Sequence, residues 1–584
     1  MVVLEKGSWQ VKYLWGYLKK CRRAIYWGTL IKVIGTMMDL LIPYILAHIL
    51  NNVVERKEMT PLVFWGCVMV LCAILAVVFN VLANRMASLV ACDCTRDIRH
   101  DLFERISYLS SEQTDRLTIA SLESRLTSDT YNVNHMIGMM LRLGIRAPIL
   151  LFGGIIMTFT LDWRLTLVLI LTLPCLFVVV RATSKVGIPL YKKLQQKNDE
   201  VTRVVREDAA GVRVIKALSK TEYEKNRFDE ANLDAIAVEK KAGVTMAKIN
   251  PIMTFVLNAG MCAVIGAGAF LVMKGKSEAG TIIAFMSYFT IIANALISIS
   301  RIFVNLSKGS ASMARIAEVL SEDYELRVEE DFAEVLCDES LPYIEFRNVS
   351  FGYDGSRILK NISFTLNRHE TLGIIGETGS GKSTILNLLM RFYDADEGEI
   401  LIEGRNIKDI PTAKLRSMFG VVFQNDFLFA DTIAENIRFG REITAEAIKS
   451  GAKDAQADGF IIARSQGYDD MLAIKGANLS GGQKQRLLIA RALAADPDIL
   501  VLDDSSSALD YKTDSLLRAA IASHFSHTTT VIVAQRVSSL AHANKILVLS
   551  EGRVAACGTH EELLATSSLY EEISRSQMGG AILD

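Results

Sequence analysis

The stretch that decides the fold reads TLGIIGETGSGKSTILNLLM and covers residues 371–390. It begins with an apolar run typical of a buried β-strand and ends with an amphipathic pattern at helical spacing. Between the two, the sequence follows the pattern G-x-x-x-x-G-K-S/T, in which backbone N–H groups, a lysine ammonium and a serine hydroxyl surround phosphate oxygens and Mg²⁺. The pattern therefore predicts an α/β P-loop nucleotide-binding domain that binds ATP and Mg²⁺. The residues predicted to form this loop are Gly376, Glu377, Thr378, Gly379, Ser380, Gly381, Lys382, Ser383 and Thr384.

A second apolar strand, DILVLD, ends in Asp503, where a carboxylate is expected to hold the Mg²⁺ shell. Asp504 follows it, at the place where a residue activating the attacking water is expected. Gln424 in VVFQND is a neutral side chain after a strand, able to reach the metal or the γ-phosphate, so Ser383, Gln424 and Asp503 are the predicted Mg²⁺ ligands. Tyr353 in FGYDG is either a platform for adenine or a purely structural aromatic residue.

A further glycine-containing helix start lies in NLSGGQKQRLLIARAL, residues 478–493. Helix N-termini with serine and glycine bind anions, so this is a second phosphate cradle. One nucleotide cannot occupy two cradles of the same small domain without steric conflict. The second cradle is therefore expected to serve a nucleotide on another copy of the domain, which predicts a dimer. Its residues are Ser480, Gly481, Gly482 and Gln483.

The first 310 positions of the 584-residue chain differ from the rest, because long uncharged runs crowd them. A membrane-spanning helix needs about 20 apolar residues. Six windows of that kind occur, at residues 24–50, 62–84, 136–160, 163–182, 251–273 and 279–305. The basic run KKCRR precedes the first, so the positive-inside tendency places both termini in the cytoplasm. The sequence thus predicts a multidomain, multi-pass membrane protein whose six-helix α transmembrane domain is fused to the nucleotide-binding domain.

The connections between the spans are unequal in length. Those at residues 85–135 and 183–250 are long, charged and helix-forming, which predicts helices that continue into the cytoplasm and end in short docking turns near residues 111–117 and 216–223. The predicted domains are residues 1–317 for the transmembrane part, 318–341 for an acidic linker and 342–584 for the nucleotide-binding part. A net charge of −1 with a pI near 6.7 provides no electrostatic footprint for nucleic acid, which is excluded as a partner.

Charged residues inside the spans are candidates for substrate handling, because a charge in lipid is costly. Lys32 and Asp39 stand seven residues apart on one helical face, where they either line a polar substrate cavity or hold two helices together. Arg142 and Arg146 are expected to extend toward an interface or to meet acids of neighbouring helices.

With these motifs in place, the chain resembles a half-transporter of the ATP-binding-cassette (ABC) exporter family. The motifs GETGSGKST, LSGGQ, ILVLDD and SALD, together with Gln424 and the C-terminal ILVLSEGRVAACGTHEEL, come in the order and spacing of that family. The resemblance implies the type IV exporter fold, coupling helices in the two cytoplasmic loops, a loop at residues 507–510 through which two sites communicate, and a bacterial plasma-membrane location.

Three positions depart from the family pattern. Asp504 stands where a general-base glutamate is expected, Gln535 where a histidine is expected, and Ile474 where exporters often carry a glutamate. An aspartate is shorter by one C–C bond, about 1.5 Å, and a misplacement of about 1 Å can lower a rate about 10²-fold. The resemblance then implies the degenerate-site subunit of a heterodimeric multidrug exporter, whose LSGGQ completes the consensus site of a partner half-transporter.

Two other interpretations remain open. A homodimer with two slow sites would hydrolyse ATP when this chain is purified without any other subunit. An ATP-gated channel or regulator would use ATP binding without hydrolysis as its signal. The substrate is expected to be a small molecule, lipophilic or drug-like on the family resemblance, with membrane lipids as surroundings.

Overall fold

The computed structural model describes residues 13–323, 341–353, 355–424, 427–505 and 508–578. Contacts divide the chain into two compact units. The first takes in the chain up to Ser107 and Thr118–Glu322. The second takes in Tyr108–Leu117 and the chain from Asp323 onward. The central part of the predicted linker, residues 324–340, lies outside the described residues.

In the part of the first unit that the structure describes, the regular elements are helices, as the apolar runs predict. Its α-helices are α1 (Arg22–His48), α2 (Met59–Ser107), α4 (Ile119–Ser124), α5 (Thr130–Met139), α6 (Ile145–Leu161), α7 (Trp163–Ala217), α8 (Thr221–Ala247), α9 (Ile249–Met273) and α10 (Ala279–Leu320). Helix α3 (Ser111–Leu117) belongs to the second unit. Two π-helical turns, Arg125–Asp129 and Met140–Gly144, join α4, α5 and α6 into one continuous helical segment.

Several of these helices are longer than a membrane is thick. Helix α2 has 49 residues, which at about 1.5 Å per residue exceeds a hydrocarbon core of about 30 Å more than twofold. The excess length carries the chain out of the apolar region, as the charged loops of the sequence predict. The interior of the bundle contains Leu40, Phe285 and Tyr288, and the Tyr288 hydroxyl donates to the Leu40 carbonyl at 2.5 Å.

Among the described residues, five helical segments are long and apolar enough to cross a membrane. They are Arg22–Arg56, Met59–Ser107, Ile119–Leu161, Thr221–Met273 and Ala279–Leu320. The remaining predicted window, residues 163–182, falls on α7, where the stretch identified as apolar is the shorter Trp163–Thr172. Several side chains of α7 after this stretch lie outside the description, so a count of six spans stays a prediction.

The second unit is an α/β domain with two sheets. A four-stranded antiparallel sheet has the order β2 (Ser356–Leu366), β1 (Ile344–Tyr353), β4 (Glu397–Ile402), β5 (Arg405–Asn406). A six-stranded sheet has the order β10 (Arg553–Gly558), β9 (Lys545–Ser550), β3 (Thr371–Gly376), β8 (Thr529–Val533), β7 (Ile499–Asp503), β6 (Phe419–Val422). All its strands except β10 run parallel, and β7 is buried along its whole length, as expected of a central strand covered on both faces.

Nine helices surround these sheets in the described part of the second unit after Asp323. They are α11 (Lys382–Leu389), α12 (Thr412–Ser417), α13 (Ile433–Arg438), α14 (Ala445–Asp454), α15 (Asp458–Ile462), α16 (Gly481–Leu493), α17 (Tyr511–His524), α18 (His560–Thr566) and α19 (Ser568–Met578). Helix α11 contributes to one hydrophobic core with β1 and β3, whereas α16 contributes to another with α14. The two phosphate cradles of the sequence therefore start helices that belong to different cores.

The predicted docking turn at residues 111–117 coincides with α3. Inside the second unit, the Tyr393 hydroxyl donates to Asp115 Oδ2 at 2.5 Å, and Gln113 donates to the Asp323 carbonyl. The other predicted turn, residues 216–223, lies at the junction of α7 and α8 in the first unit, where the Lys220 N–H donates to the Ile215 carbonyl.

Candidate functional site

The predicted nucleotide motifs meet at one edge of the six-stranded sheet. Strands β3, β8, β7 and β6 are parallel neighbours, so their carboxyl ends lie along the same edge, where open α/β sheets bind ligands. The P-loop follows β3, Gln535 follows β8, Asp503 ends β7 and Gln424 follows β6. Residues spread over 160 positions of sequence are thereby collected at one edge.

The P-loop takes the conformation that its glycines predict. Gly379 and Gly381 have φ values of +84° and +97°, in the left-handed region that favours glycine. A Cβ at Gly376 would lie 2.3 Å from the Leu549 carbonyl oxygen, so this position has no space for a side chain. Lys382 opens α11 and donates from Nζ to the carbonyls of Gly376 and Glu377, both at 2.8 Å. The lysine side chain therefore lies along the P-loop, where the phosphates of a nucleotide are predicted to bind.

Ser383 and Asp503 form the oxygen pair expected of a Mg²⁺ site. The Ser383 hydroxyl donates to Asp503 Oδ2 at 3.0 Å, and Asp503 is buried. Burial raises the pKa of the Asp503 carboxyl, while the Ser383 hydrogen bond acts in the opposite direction. Burial also lowers the pKa of Lys382, and the charges of Asp503 and Asp504 oppose that shift. The lysine and both carboxyls therefore lie within electrostatic range of one another.

These groups fit Mg²⁺ bound to a nucleotide. A hydroxyl and a carboxylate are the hard oxygen ligands that Mg²⁺ prefers, and the ion usually keeps phosphate and water oxygens as its others. The Ser380 hydroxyl is buried and has no hydrogen-bond partner among the described residues, so a polar group in the P-loop remains available to a ligand. Ser383 and Asp503 would hold Mg²⁺, which when bound neutralises charge between the β- and γ-phosphates.

Two of the three departures from the family pattern, Gln535 and Asp504, contact each other. Gln535 donates from Nε2 to Asp504 Oδ2 at 2.9 Å, across 31 positions of sequence. Asp504 has a left-handed backbone with φ +50°, and its N–H donates to the Val533 carbonyl. Burial raises the pKa of the Asp504 carboxyl, and Arg536 and Lys382 counter that shift. Asp504, the shorter acid, is thus held at the sheet edge by Gln535, which stands where the family pattern has histidine.

Sequence reasoning missed a residue that supports this pair. Gln577 in α19 donates from Nε2 to the Gln535 carbonyl at 2.7 Å, and its Oε1 accepts from the Val537 N–H at 2.7 Å. The C-terminal helix therefore anchors the segment that carries Gln535. No spacing rule identifies Gln577, because the contact depends on where α19 packs.

Tyr353 and Gln424 differ in how the structure constrains them. The Tyr353 ring is partly buried, packs edge-on against Phe351 and Tyr393, and its hydroxyl accepts from Asn387 on α11 at 3.3 Å. These contacts favour the structural interpretation of Tyr353, and adenine stacking stays a prediction. Gln424 is exposed two positions beyond the end of β6, and its role also stays a prediction.

The second cradle is formed as the start of α16. Ser480 is the N-cap: its hydroxyl accepts from the Gln483 N–H, and Gln483 Oε1 accepts from the Ser480 N–H at 3.0 Å. This reciprocal pair is a capping box, which satisfies two otherwise unpaired donors. A Cβ at Gly482 would lie 3.1 Å from the Ala508 carbonyl, which places the cradle beside the loop predicted to connect two sites. Ser507 of that loop lies outside the described residues.

Ile474, the third departure from the family pattern, is 68% exposed, and it opens a short 3₁₀ turn before the second cradle.

The charged residues of the first unit take different positions. Asp39 lines a cavity and accepts from Arg146 at 2.9 Å, so this arginine meets an acid of a neighbouring helix. Lys32 is not among the residues that line the cavity. It is 2% exposed and donates from Nζ to Asn84 Oδ1 at 2.9 Å, which joins α1 to α2. The structure therefore favours helix packing for Lys32 and the cavity for Asp39.

The fold and the site together define a membrane protein with a P-loop nucleotide-binding domain on the same chain. Residues 25–296 match the family described as ABC transporter transmembrane region, and residues 359–507 match the family described as ABC transporter. In order along the chain, these are the two parts of a half-transporter.

The similarity to known proteins extends over nearly the whole length of the chain. The chain is 34% identical over 545 residues to the uncharacterized ABC transporter ATP-binding protein YfiB of Bacillus subtilis strain 168, covering 93% of this chain and 94% of YfiB. It is 31% identical to the putative ABC transporter ATP-binding protein exp8 of Streptococcus pneumoniae, covering 98% of each. A solved structure of a bacterial Atm1-family ABC exporter with ATP bound superposes with a TM-score of 0.80 at 27% identity, covering 94% of this chain and 97% of that one. The chain belongs to the ABC transporter family and has the type IV exporter fold.

Proposed function

We propose that this chain is one half of an ATP-driven exporter that moves small, lipophilic molecules across a membrane by alternating access. Its own P-loop would bind Mg-ATP and turn it over slowly, while Ser480–Gln483 would complete the nucleotide site of a partner half-transporter. The transmembrane unit, the cassette and the likeness to an exporter support the transport part of the proposal.

The observation that carries the division of labour is the hydrogen bond between Gln535 and Asp504. A general base must accept a proton from the attacking water, and a well-placed base contributes about 10²–10⁴-fold. Asp504 is shorter than glutamate, and one of its oxygens already accepts from an amide. Gln535 can still donate a hydrogen bond, but it cannot take up a proton as a histidine can. Both properties lower turnover at this chain's own site and leave phosphate binding intact.

The P-loop residues would perform the binding steps. Lys382 would move its ammonium from the loop carbonyls to phosphate oxygens, where the acceptor is also charged and the hydrogen bond is therefore stronger than one to a neutral carbonyl. The N–H groups at the start of α11 would orient the nucleotide, since helix N-termini favour anions. Closure of two cassettes around ATP would then change the shape of the transmembrane units through α3 and its counterpart in the partner.

A homodimer is the second candidate, and the same observation is compatible with it: both cradles are well formed in one chain. Two copies could then complete each other's sites, each limited by Asp504. The heterodimer and the homodimer predict different behaviour of the purified single chain.

The experiment measures ATPase activity of the full chain in lipid nanodiscs, alone and together with a candidate partner half-transporter that carries glutamate and histidine at the positions of Asp504 and Gln535. We expect ATP binding but almost no turnover alone, and brisk turnover after the partner is added. Fast, partner-independent hydrolysis would contradict the division of labour and establish the homodimer. Transport without any need for hydrolysis would instead establish a channel or regulator.

A further inference from the structure

The first unit contains a cavity of about 500 Å³ with mixed walls. Helices α1, α6 and α10 line it, together with Leu143 from the π-helical turn before α6. Apolar side chains such as Ile42, Leu150 and Ile291 form much of the wall, and among the described residues Asp39 and Arg146 are the two ionisable ones that line it. The cavity therefore presents an apolar surface with one charged corner.

At that corner, Asp39 Oδ2 accepts from Arg146 at 2.9 Å and from Asn80 Nδ2 at 3.3 Å. Arg146 Nε is buried and has no hydrogen-bond partner among the described residues. A buried donor without a partner is unfavourable, and a guanidinium can bind one acid oxygen pair in a fork. The arginine thus has donor capacity beyond what Asp39 takes.

Two more basic residues stand close by, and their partners are neutral. Arg142 donates to the Gly138 carbonyl and to Ser88 Oγ, while Lys32 donates to Asn84 Oδ1. Lys32 lies within electrostatic range of Asp39, Arg142 and Arg146. Arginine stays protonated in proteins, so two arginines and one aspartate leave a net positive charge even before Lys32 is counted.

Taken together, the predicted spans show the same excess of basic over acidic residues. Their six windows contain one acidic residue, Asp39, and six lysines and arginines. The basic residues are Lys32, Arg142, Arg146, Arg164, Arg181 and Arg301. An uncompensated charge at membrane depth is costly and marks a substrate pathway by default. A ligand that supplies negative charge would remove this cost, whereas a cationic ligand would increase it.

We propose that the cavity binds an amphipathic organic anion: an apolar body against the α1, α6 and α10 walls, with a carboxylate, sulfonate or phosphate head held by Arg146. This inference rests on the proposed transport function and narrows its substrate class from lipophilic molecules in general to anionic ones. Asp39 holds the guanidinium in place in the ligand-free cavity and competes with the ligand for it.

The test uses two dyes with a common xanthene body and different charge, carboxyfluorescein as the anion and rhodamine 123 as the cation. Binding to the nucleotide-free full chain in phosphatidylcholine nanodiscs is followed by fluorescence anisotropy. We expect tighter binding of carboxyfluorescein, and we expect Arg146→Gln to weaken it about tenfold or more, as the loss of a charged hydrogen bond implies. The matched control is Arg164→Gln, which removes an arginine that lies over the Trp163 ring and does not line the cavity, and which should leave binding unchanged.

A gain of binding separates the proposal from simple misfolding. Asp39→Asn removes the competitor for Arg146 and should tighten carboxyfluorescein binding several-fold, an effect that damage to the fold cannot produce. The double variant Asp39→Asn with Arg146→Gln should lose that gain. Tighter binding of rhodamine 123 than of carboxyfluorescein, or unchanged carboxyfluorescein binding in Arg146→Gln, overturns the proposal.

The source of the anion is read from the lipid composition. If nanodiscs containing phosphatidylglycerol displace carboxyfluorescein from the native chain but not from Arg146→Gln, a lipid headgroup is the natural occupant; without displacement, a free organic anion is. The measurement needs neither ATP nor a partner. If the chain did not bind the anion but still performed ATP-driven transport, the anion proposal would be rejected and the proposed function would stand. If it bound the anion but performed no ATP-driven transport, the proposed function would be rejected and the anion site would stand.

Discussion

Two helix starts in the same domain bear glycines, and they are surrounded differently. The P-loop before α11 has Lys382 along its backbone, Asp503 bonded to Ser383, and Asp504 within electrostatic range. The start of α16 is exposed at Ser480 and closed by its own capping box. The P-loop is surrounded by a lysine, a serine and carboxylates of its own chain, whereas the start of α16 is exposed.

This difference shows why a helix N-terminus alone does not define a nucleotide site. Both are helix N-termini, whose first N–H groups have no acceptor within the helix, but among the described residues Lys382, Ser383 and Asp503 lie at only one of them. A nucleotide at the exposed start would need its lysine and its Mg²⁺ ligands from another chain. Completion in trans means that two chains each supply part of one nucleotide site in this way.

The largest expected effect comes from blocking the exposed start. In the assembled transporter, Ser480→Arg should lower ATP turnover about 10²-fold or more, because a bulky cation replaces the small N-cap at the partner's phosphates. ATP turnover by the purified complex measures this. Ser480→Thr, which keeps an N-cap hydroxyl, is the matched control and should retain most activity; full activity of Ser480→Arg would rule out completion in trans.

The next effect concerns the other start. Lys382→Ala should weaken ATP binding to the single chain about tenfold or more, since a charge-assisted hydrogen bond to phosphate is lost. Titration with a fluorescent ATP analogue checks this in nanodiscs, with monodispersity on gel filtration as the control for folding.

The same titration on Ser480→Arg should give native affinity. If both variants weakened binding by the same factor, the two cradles would share one nucleotide and the comparison between them would fail.

The smallest expected effect comes from changing Asp504, the acid that accepts a hydrogen bond from Gln535. Asp504→Asn should change turnover of the assembled transporter by no more than about twofold, because a base bonded to Gln535 and one C–C bond short contributes little of the usual 10²–10⁴-fold. The paired variant Asp504→Glu with Gln535→His restores length and a titratable ring, and should raise turnover. A fall of Asp504→Asn to background would show that Asp504 is the working base.

Much of the site is predictable from local spacing. The P-loop, the start of α16 and the strand ending in Asp503 each occupy a short window, and the structure forms each of them at the predicted place. The short helix at residues 111–117 was also predictable, since charged helix-forming sequence interrupts apolar runs there. The fourth span was harder to define, because a 55-residue helix passes from apolar to charged sequence without a break.

Contacts between distant residues could not be read in this way. The Gln535–Asp504 bond needs β8 and β7 to be neighbours, and the support from Gln577 needs α19 to pack beside them. In the first unit, Lys32 and Asp39 share a helical face by period, yet one joins α1 to α2 and the other meets Arg146 in a cavity wall. The spacing alone cannot distinguish these outcomes.

By itself, the sequence determined the class of each part, because periodicity, glycine spacing and apolar length act within a few turns of chain. The tertiary structure decided which charges face a cavity, which acid is held by which amide, and which unit holds α3. Those outcomes depend on strand order and helix packing. These bring side chains far apart in sequence within hydrogen-bond distance, so that hydrogen bonds to water are replaced by hydrogen bonds between the side chains.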